Sequence, residues 1–230
     1  MNVAVCITTD GRDHLLSQAI ASICMRVILP NGRYVSKAYV VDDSGRAHVE
    51  LPGVSMLEFV ECVRHVNRMG FAQTVRDVWT LALTDPDVTH IFHAEDDFTY
   101  NQDVDLGMMA DILADKSLIC QVTLKRDCVN LSEEEAGGFM QTWDASVWGE
   151  DVTFAGGQPY VAHWTNFTSN PSLIPRDVIE RLLAMDAPLT EPNMTKELFS
   201  DDYIGAYVGR YMGLPLVTHI GSYRSEGWAE

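Results

Sequence analysis

Positive charge is scarce in this sequence. It has 16 Lys+Arg against 33 Asp+Glu, for a formal net charge of −17. So acidic a chain has no broad basic field and is not a general nucleic-acid binder, although a local basic groove remains open. Cysteine is sparse and unpatterned: Cys6, Cys24, Cys62, Cys120 and Cys128 form no C-x-x-C pair. A disulfide framework or a structural zinc site is therefore not expected, and reduced thiols in a cytoplasmic setting are the default reading. No apolar run approaches the roughly 20 residues of a membrane-spanning helix. The first residues enter a strand pattern directly, without a basic segment or cleavage site, so no signal peptide is expected. Internal repeats and low-complexity linkers are also lacking.

What is present alternates. Residues 3–8 are an apolar run closed by Thr9-Asp10-Gly11, which reads as a buried strand and turn. Leu15, Leu16, Ala19, Ile20, Ile23 and Cys24 then fall on one helical face. Strands are expected over 36–41, 57–63, 88–94 and 118–124, with helices over 72–83 and 104–114 between them. Further helices are expected near 176–186, after Pro175, and over 201–212, with Ser200 as N-cap. A last strand is expected at 217–221. This order predicts an α/β fold with a Rossmann-like, mixed but mainly parallel sheet flanked by helices. One domain over 1–230 is expected, with a ligand-binding half over about 1–100 and a more irregular half beyond.

In such sheets ligands bind past the carboxyl ends of the strands. Three strand ends here are polar: Thr8, Thr9, Asp10 and Arg12; Asp42, Asp43 and Ser44; and Glu95, Asp96 and Asp97. Glu95 and Asp97 are two apart on a strand and share a face. Paired carboxylates suit a hard divalent cation, which in turn holds phosphate.

These elements, in order, resemble a nucleotide-sugar glycosyltransferase of the GT-A fold, close to the large family-two group. Val5-Cys6-Ile7-Thr8-Thr9-Asp10-Gly11-Arg12 resembles its first strand and loop. Val40-Val41-Asp42-Asp43-Ser44-Gly45 resembles V-D-D-x-S, whose Asp meets the nucleotide base. The run from Asn67 to Gly70 and Ala72 resembles N-x-G-x-x-A, with one extra residue between Asn67 and Gly70. Glu95-Asp96-Asp97 resembles D-x-D. Asp201-Asp202, followed by Gly213, resembles the E-D…G helix that carries the base, and His219-Ile220-Gly221 resembles H-x-G. The usual Arg-Asn pair of the helix after the N-x-G element is Arg76-Asp77, one residue out of step, and the acceptor-side Q-x-x-R-W helix is missing. That gap argues against processive synthesis and suits a compact enzyme of the kind found in bacteriophages.

The resemblance implies a donor site of Thr8, Thr9, Asp10, Arg12, Asp42, Asp43, Asn67, Gly70, Arg76, Glu95, Asp96 and Arg224. It implies Mn2+ or Mg2+ on Asp97 with His219, and Asp202, backed by Asp201, as the base of an inverting displacement. As the base, Asp202 is expected to stay ionised at a helix N-terminus. The resemblance further implies that divalent cation as cofactor and a nucleoside-diphosphate sugar as donor substrate.

The segment 137–171 has paired glycines and the aromatics Trp143, Trp148 and Trp164, which makes it the expected acceptor side. The acceptor is expected to be a hydroxyl on a protein or glycan. The alternative is a hydroxymethylated pyrimidine in DNA, for which Lys125, Arg126, Arg176, Arg181, Arg210 and Arg224 are the available phosphate contacts. A nucleotidyltransferase would also use strand-end carboxylates, but needs a Gly-rich basic loop where this chain has only Gly11 and Arg12. A binding module without catalysis would be expected to have lost the acidic triplet or the base. His90, His93 and His163 read as structural or surface residues, and the cysteines as packing residues.

Overall fold

A computed structural model describes residues 1–46, 51–57, 59–124, 149–153, 159–164, 166–208 and 215–221. The strands are β1 (Val3–Thr9), β2 (Val35–Asp42), β3 (Val60–Arg64), β4 (His90–Glu95), β5 (Phe98–Tyr100), β6 (Ile119–Leu124), β7 (Gly149–Thr153), β8 (Pro159–His163), β9 (Ser172–Pro175), β10 (Ile204–Val208) and β11 (Val217–His219). The helices are α1 (Asp13–Ile23), α2 (Phe71–Leu83), α3 (Leu106–Asp115), α4 (Arg176–Leu183) and α5 (Glu191–Phe199).

Nine strands form one sheet in the order β3-β2-β1-β4-β9-β6-β10-β8-β7, and β11 pairs with β5 in a small second sheet. β2, β3 and β4 run parallel with β1, and β10 runs parallel with β6. β9 lies antiparallel between β4 and β6, which makes those two strands parallel to each other. The sheet is thus mixed and mainly parallel, as expected.

The strands are two-faced, and both faces are covered. Val3, Val5 and Ile7 of β1 pack with Leu16, Ile20 and Ile23 of α1 and with Met109 and Ile112 of α3. Ala4 and Cys6 point the other way, into a layer with Val75, Val78 and Trp79 of α2, Ile179 of α4 and Leu198 of α5. Buried β-branched and aromatic residues on both faces account for the sheet's apolar runs.

The expected helix over 201–212 is not what the described part of that segment, 201–208, forms. Asp201 and Asp202 form a turn, with Asp202 in the left-handed region at φ 64, and a strand follows instead of a helix. The residues obey a period of two. Ala206 and Val208 enter the α1–α3 core, whereas Tyr207 faces the opposite side, where its ring lies 4.7 Å from that of His163. Pairing with β6 on one side and β8 on the other satisfies the backbone. The short strands β7, β8 and β9 and the helix α5 are further elements that the periodicity did not reveal.

Candidate active site

The edge expected to hold the donor is built where β1, β2 and β4 end. Asp96 donates its backbone N–H to the Thr8 carbonyl at 3.1 Å, and Asp43 does the same to Thr9 at 2.8 Å, so the three strand ends are stitched together. Thr9 donates from Oγ1 to Asp96 Oδ2 at 2.6 Å. Gly11, at φ 93, turns the chain into α1, and a Cβ there would lie 2.5 Å from that of Ser44. This close approach lets the first and second loops pack together and puts Arg12 at the N-cap of α1, facing the acidic strand end.

Arg12 is the hub of that cluster. Its Nη1 is 2.9 Å from Asp97 Oδ2, its Nε 2.9 Å from Asp10 Oδ1, and its Nη2 contacts Asp96 Oδ1 directly. Burial pushes Asp96 up, to about 7, against the pull of Arg12 and the Thr9 hydroxyl. Burial acts the same way on Asp97, but the hydrogen bond from His219 and the charge of Arg12 outweigh it and hold Asp97 below its ordinary value. His219, at the end of β11, brings Nε2 to 3.3 Å from Asp97 Oδ2 and rests its ring 4.8 Å from Phe98. The Ile220 N–H closes on the Asp97 carbonyl at 2.7 Å.

Asp97 Oδ1 is buried and has no hydrogen-bond partner among the described residues. A buried orphan carboxylate oxygen beside an imidazole nitrogen fits a divalent cation that accepts O and N donors. Among the described residues no group of three or more His, Cys, Asp or Glu is arranged to hold such an ion alone.

The end of β2 is structural in detail. Asp42 accepts from the Ser44 N–H at 2.9 Å and lies 3.4 Å from Arg64 Nε. Asp43 accepts from the backbone N–H groups of Met69 at 2.7 Å and Gly70 at 2.8 Å, and meets His65 Nδ1 at 2.7 Å. The other nitrogen of His65 meets Asp77 Oδ2 at 2.8 Å. Asp43 therefore holds the loop that starts α2, with Gly70 at its N-cap at φ 83. Asn67 lies on that loop, exposed.

A second wall comes from the α2–α4–α5 face. Glu95 shares this face with His93. Burial, followed by the charges of Asp97 and Glu191, raises Glu95 well above the ordinary carboxylate range. Glu191 is the first residue of α5, with Thr190 at the N-cap. Its Oε1 accepts from Thr168 Oγ1 at 3.0 Å, the Ser169 N–H at 2.6 Å and Ser169 Oγ at 2.8 Å. The Thr168 backbone is in turn held by Gln121, which accepts from its N–H at 3.1 Å and donates to its carbonyl at 2.6 Å.

Several expected site residues lie elsewhere. Arg76 is not at the donor. Its guanidinium donates to the carbonyls of Leu183 at 2.7 Å, Met185 at 3.1 Å and Ala187 at 3.3 Å, closing the open end of α4. Asp201 and Asp202 precede β10 and so lie at the edge opposite the acidic triplet, where Asp201 pairs with Arg181 at 2.6 Å. With no helix starting there, the electrostatic reason for an ionised base at Asp202 is gone. Trp164 follows β8, whose last residue pairs with Gly205 at that same far edge, and is 56% exposed. Trp143, Trp148 and Arg224 lie outside the described residues.

Sequence reasoning missed Glu191 and His65. The Thr190-Glu191-Pro192 run held the signal for Glu191, since a capping Thr followed by Pro in the first turn marks a helix start. Nothing local marks His65, whose two carboxylate partners come from β2 and α2.

The arrangement is similar to solved glycosyltransferases. GalNAc-T7, in a structure with UDP, GalNAc and Mn2+, matches with a TM-score of 0.65 and 12% identity, over 99% of this chain and 45% of that one. The mannosyltransferase PcManGT from Pyrobaculum calidifontis, in complex with GDP-Man and Mn2+, matches with a TM-score of 0.58 and 13% identity, over 99% and 58%. This chain therefore spans about half the length of those proteins. The likeness establishes a GT-A fold. No family model matches the chain, and no curated protein matches it either. Among the described residues no helix is long and apolar enough to cross a membrane.

Proposed function

We propose that this protein is a cation-assisted glycosyltransferase that moves a sugar from a nucleoside-diphosphate donor to an acceptor hydroxyl. The observation that carries this reading is the meeting of Arg12, Asp96, Asp97 and His219 at the ligand-binding edge of a GT-A sheet. Both similar structures hold Mn2+ together with a nucleotide or nucleotide sugar, which supports the same pairing here. A Mn2+ or Mg2+ held by Asp97, with His219 beside it, would stabilise the charge of the leaving diphosphate.

The base is reassigned from Asp202 to Glu191. Three donors fix Oε1, which leaves Oε2 to take the proton of the acceptor hydroxyl. Glu95, raised by burial, fits a neutral carboxyl beside Glu191. Attack by the acceptor oxygen with one base inverts the anomeric centre, which NMR of the first-formed product tests directly.

For the acceptor, a hydroxyl on a protein or glycan is favoured over modified DNA. Arg176 is taken up by the carbonyls of Leu83, Asp85, Pro86 and Val88, and Arg181 by Glu197 and Asp201. Both are lost to a phosphate track, and Lys125, Arg126 and Arg210 lie outside the described residues. The nucleotidyltransferase alternative is disfavoured because the one basic residue of the first loop is held by three carboxylates.

The deciding assay offers UDP- and GDP-sugars with protein, simple glycans, hydroxymethylcytosine DNA and hydroxymethyluracil DNA in parallel, with and without Mn2+. Release of nucleoside diphosphate supports the proposal. Release of sugar 1-phosphate in its place points to nucleotidyl transfer and overturns it.

A further inference from the structure

The carboxylates of the donor edge already surround a cation that belongs to the protein. Arg12 spreads its guanidinium over Asp10, Asp96 and Asp97, its side chain is only 19% exposed, and its position at the N-cap of α1 fixes where the fork sits. The three carboxylates raise the proton affinity of Arg12 although burial opposes them, so the positive charge is permanent.

The donors available to a metal are correspondingly few. Of the Asp97 oxygens, Oδ2 is shared between Arg12 and His219, and Oδ1 is buried without a partner among the described residues. Mg2+ and Mn2+ favour about six ligands and give up water reluctantly. A site with a resident positive charge and so few protein donors binds a bare divalent ion weakly. A diphosphate reverses both terms, because its oxygens add ligands and its negative charge offsets the repulsion between Arg12 and the metal.

We propose that Arg12 is a built-in counter-cation that makes metal binding conditional on the diphosphate: the site rejects the free ion and takes it with the nucleotide. This rests on the reading of the site as cation-assisted. Arg12 acts here as a positioning residue. It holds Asp96 and Asp97 apart from a second cation and sets the free energy of coupling between metal and nucleotide, which is the same whichever is added first.

The test titrates the full chain with Mn2+ alone, then with UDP or GDP present, following free Mn2+ by electron paramagnetic resonance. Wild type is expected to bind Mn2+ alone weakly, and at least about tenfold more tightly with a nucleoside diphosphate. Arg12→Met, and Arg12→Gln as a second variant in case the first misfolds, are expected to bind Mn2+ alone about tenfold more tightly than wild type and to lose most of the coupling. Arg12→Lys keeps the charge and should retain weak binding. Circular dichroism checks each fold. If the neutral variants bind Mn2+ no more tightly than wild type while Asp97→Ala abolishes binding, the role of Arg12 is overturned and the metal assignment stands. If Asp97→Ala leaves the Mn2+ isotherm measured with UDP or GDP present unchanged, the metal assignment falls and the role of Arg12 with it.

Discussion

Gly221 has no room for a side chain because Asp97 occupies the space: a Cβ at Gly221 would lie 2.6 Å from both Cβ and Oδ2 of Asp97. Asp97 is thereby held between the β11 tail on one side and Arg12 on the other. Gly221→Ala should displace the Asp97 carboxylate while leaving the two cores untouched. The expected outcome is a loss of turnover of about 10²-fold, since a misplacement of about 1 Å at a reacting centre has that effect. Thermal unfolding close to that of wild type, measured alongside the kinetics, separates this from misfolding.

Asp97→Asn keeps the shape and removes the charge. Turnover should fall below detection and should not be rescued by raising Mn2+, and excess chelator should silence wild type in the same way. Full wild-type activity in chelator would remove the cation from the mechanism.

Glu191→Gln should lower kcat by about 10²–10⁴-fold with the donor KM little changed, because the amide retains an acceptor for Thr168 and Ser169 but takes no proton. Asp202→Asn, at the far edge, should turn over at nearly the wild-type rate. The reverse pattern would return the base to Asp202.

Arg76→Ala should destabilise the fold by about 2 kcal/mol or more, because it leaves carbonyls at the end of α4 without their donor. The donor KM should not move. A raised KM at unchanged stability would restore Arg76 to the donor site.

His93 and His163 are buried, and burial pulls them down to about 4 and about 3 from an ordinary value of 6.5. Above pH 6.5 both are neutral in the folded and unfolded chains, and their contribution to stability is complete. As the pH falls below 6.5 the unfolded chain takes up these protons first, so stability drops until the folded values are reached. Each histidine adds a slope of about 1.4 kcal/mol per pH unit in that window. Between pH 7 and pH 5, urea unfolding should therefore show a smaller loss of stability in His93→Gln than in wild type, by about 2 kcal/mol, the slope of one histidine taken from pH 6.5 to pH 5. Equal losses would mean that His93 does not stay neutral.

The first hundred or so residues were readable because each parallel strand there is an apolar run stopped by acidic or turn residues, which marks both the element and the edge where it ends. Val3–Thr9, Val35–Asp42 and His90–Glu95 all follow this rule. The second half was harder for a physical reason. Apart from β6, its strands are only three to five residues long, and β10 contains Gly205 and Ala206, so a period of two is barely expressed in the sequence. Asp201-Asp202 ahead of such a run looks like a helix cap. What decides for a strand is the slot between β6 and β8, and only the assembled sheet supplies it. The same holds for Arg76, whose partners are carbonyls more than a hundred residues away.

The acidic edge is sewn from distant parts of the chain, with Arg12 following β1, Asp96 and Asp97 following β4, and His219 ending β11. During vectorial synthesis the β1–β2–β4 layer has all its strands by residue 95, long before His219 leaves the ribosome. Contacts so far apart in sequence form late. A nascent chain would thus hold a packed sheet whose Asp97 still lacks both its imidazole neighbour and the Gly221 wall. The proposed grip on a metal and a diphosphate would come only after β11 has been made, later than the layer that carries Asp97.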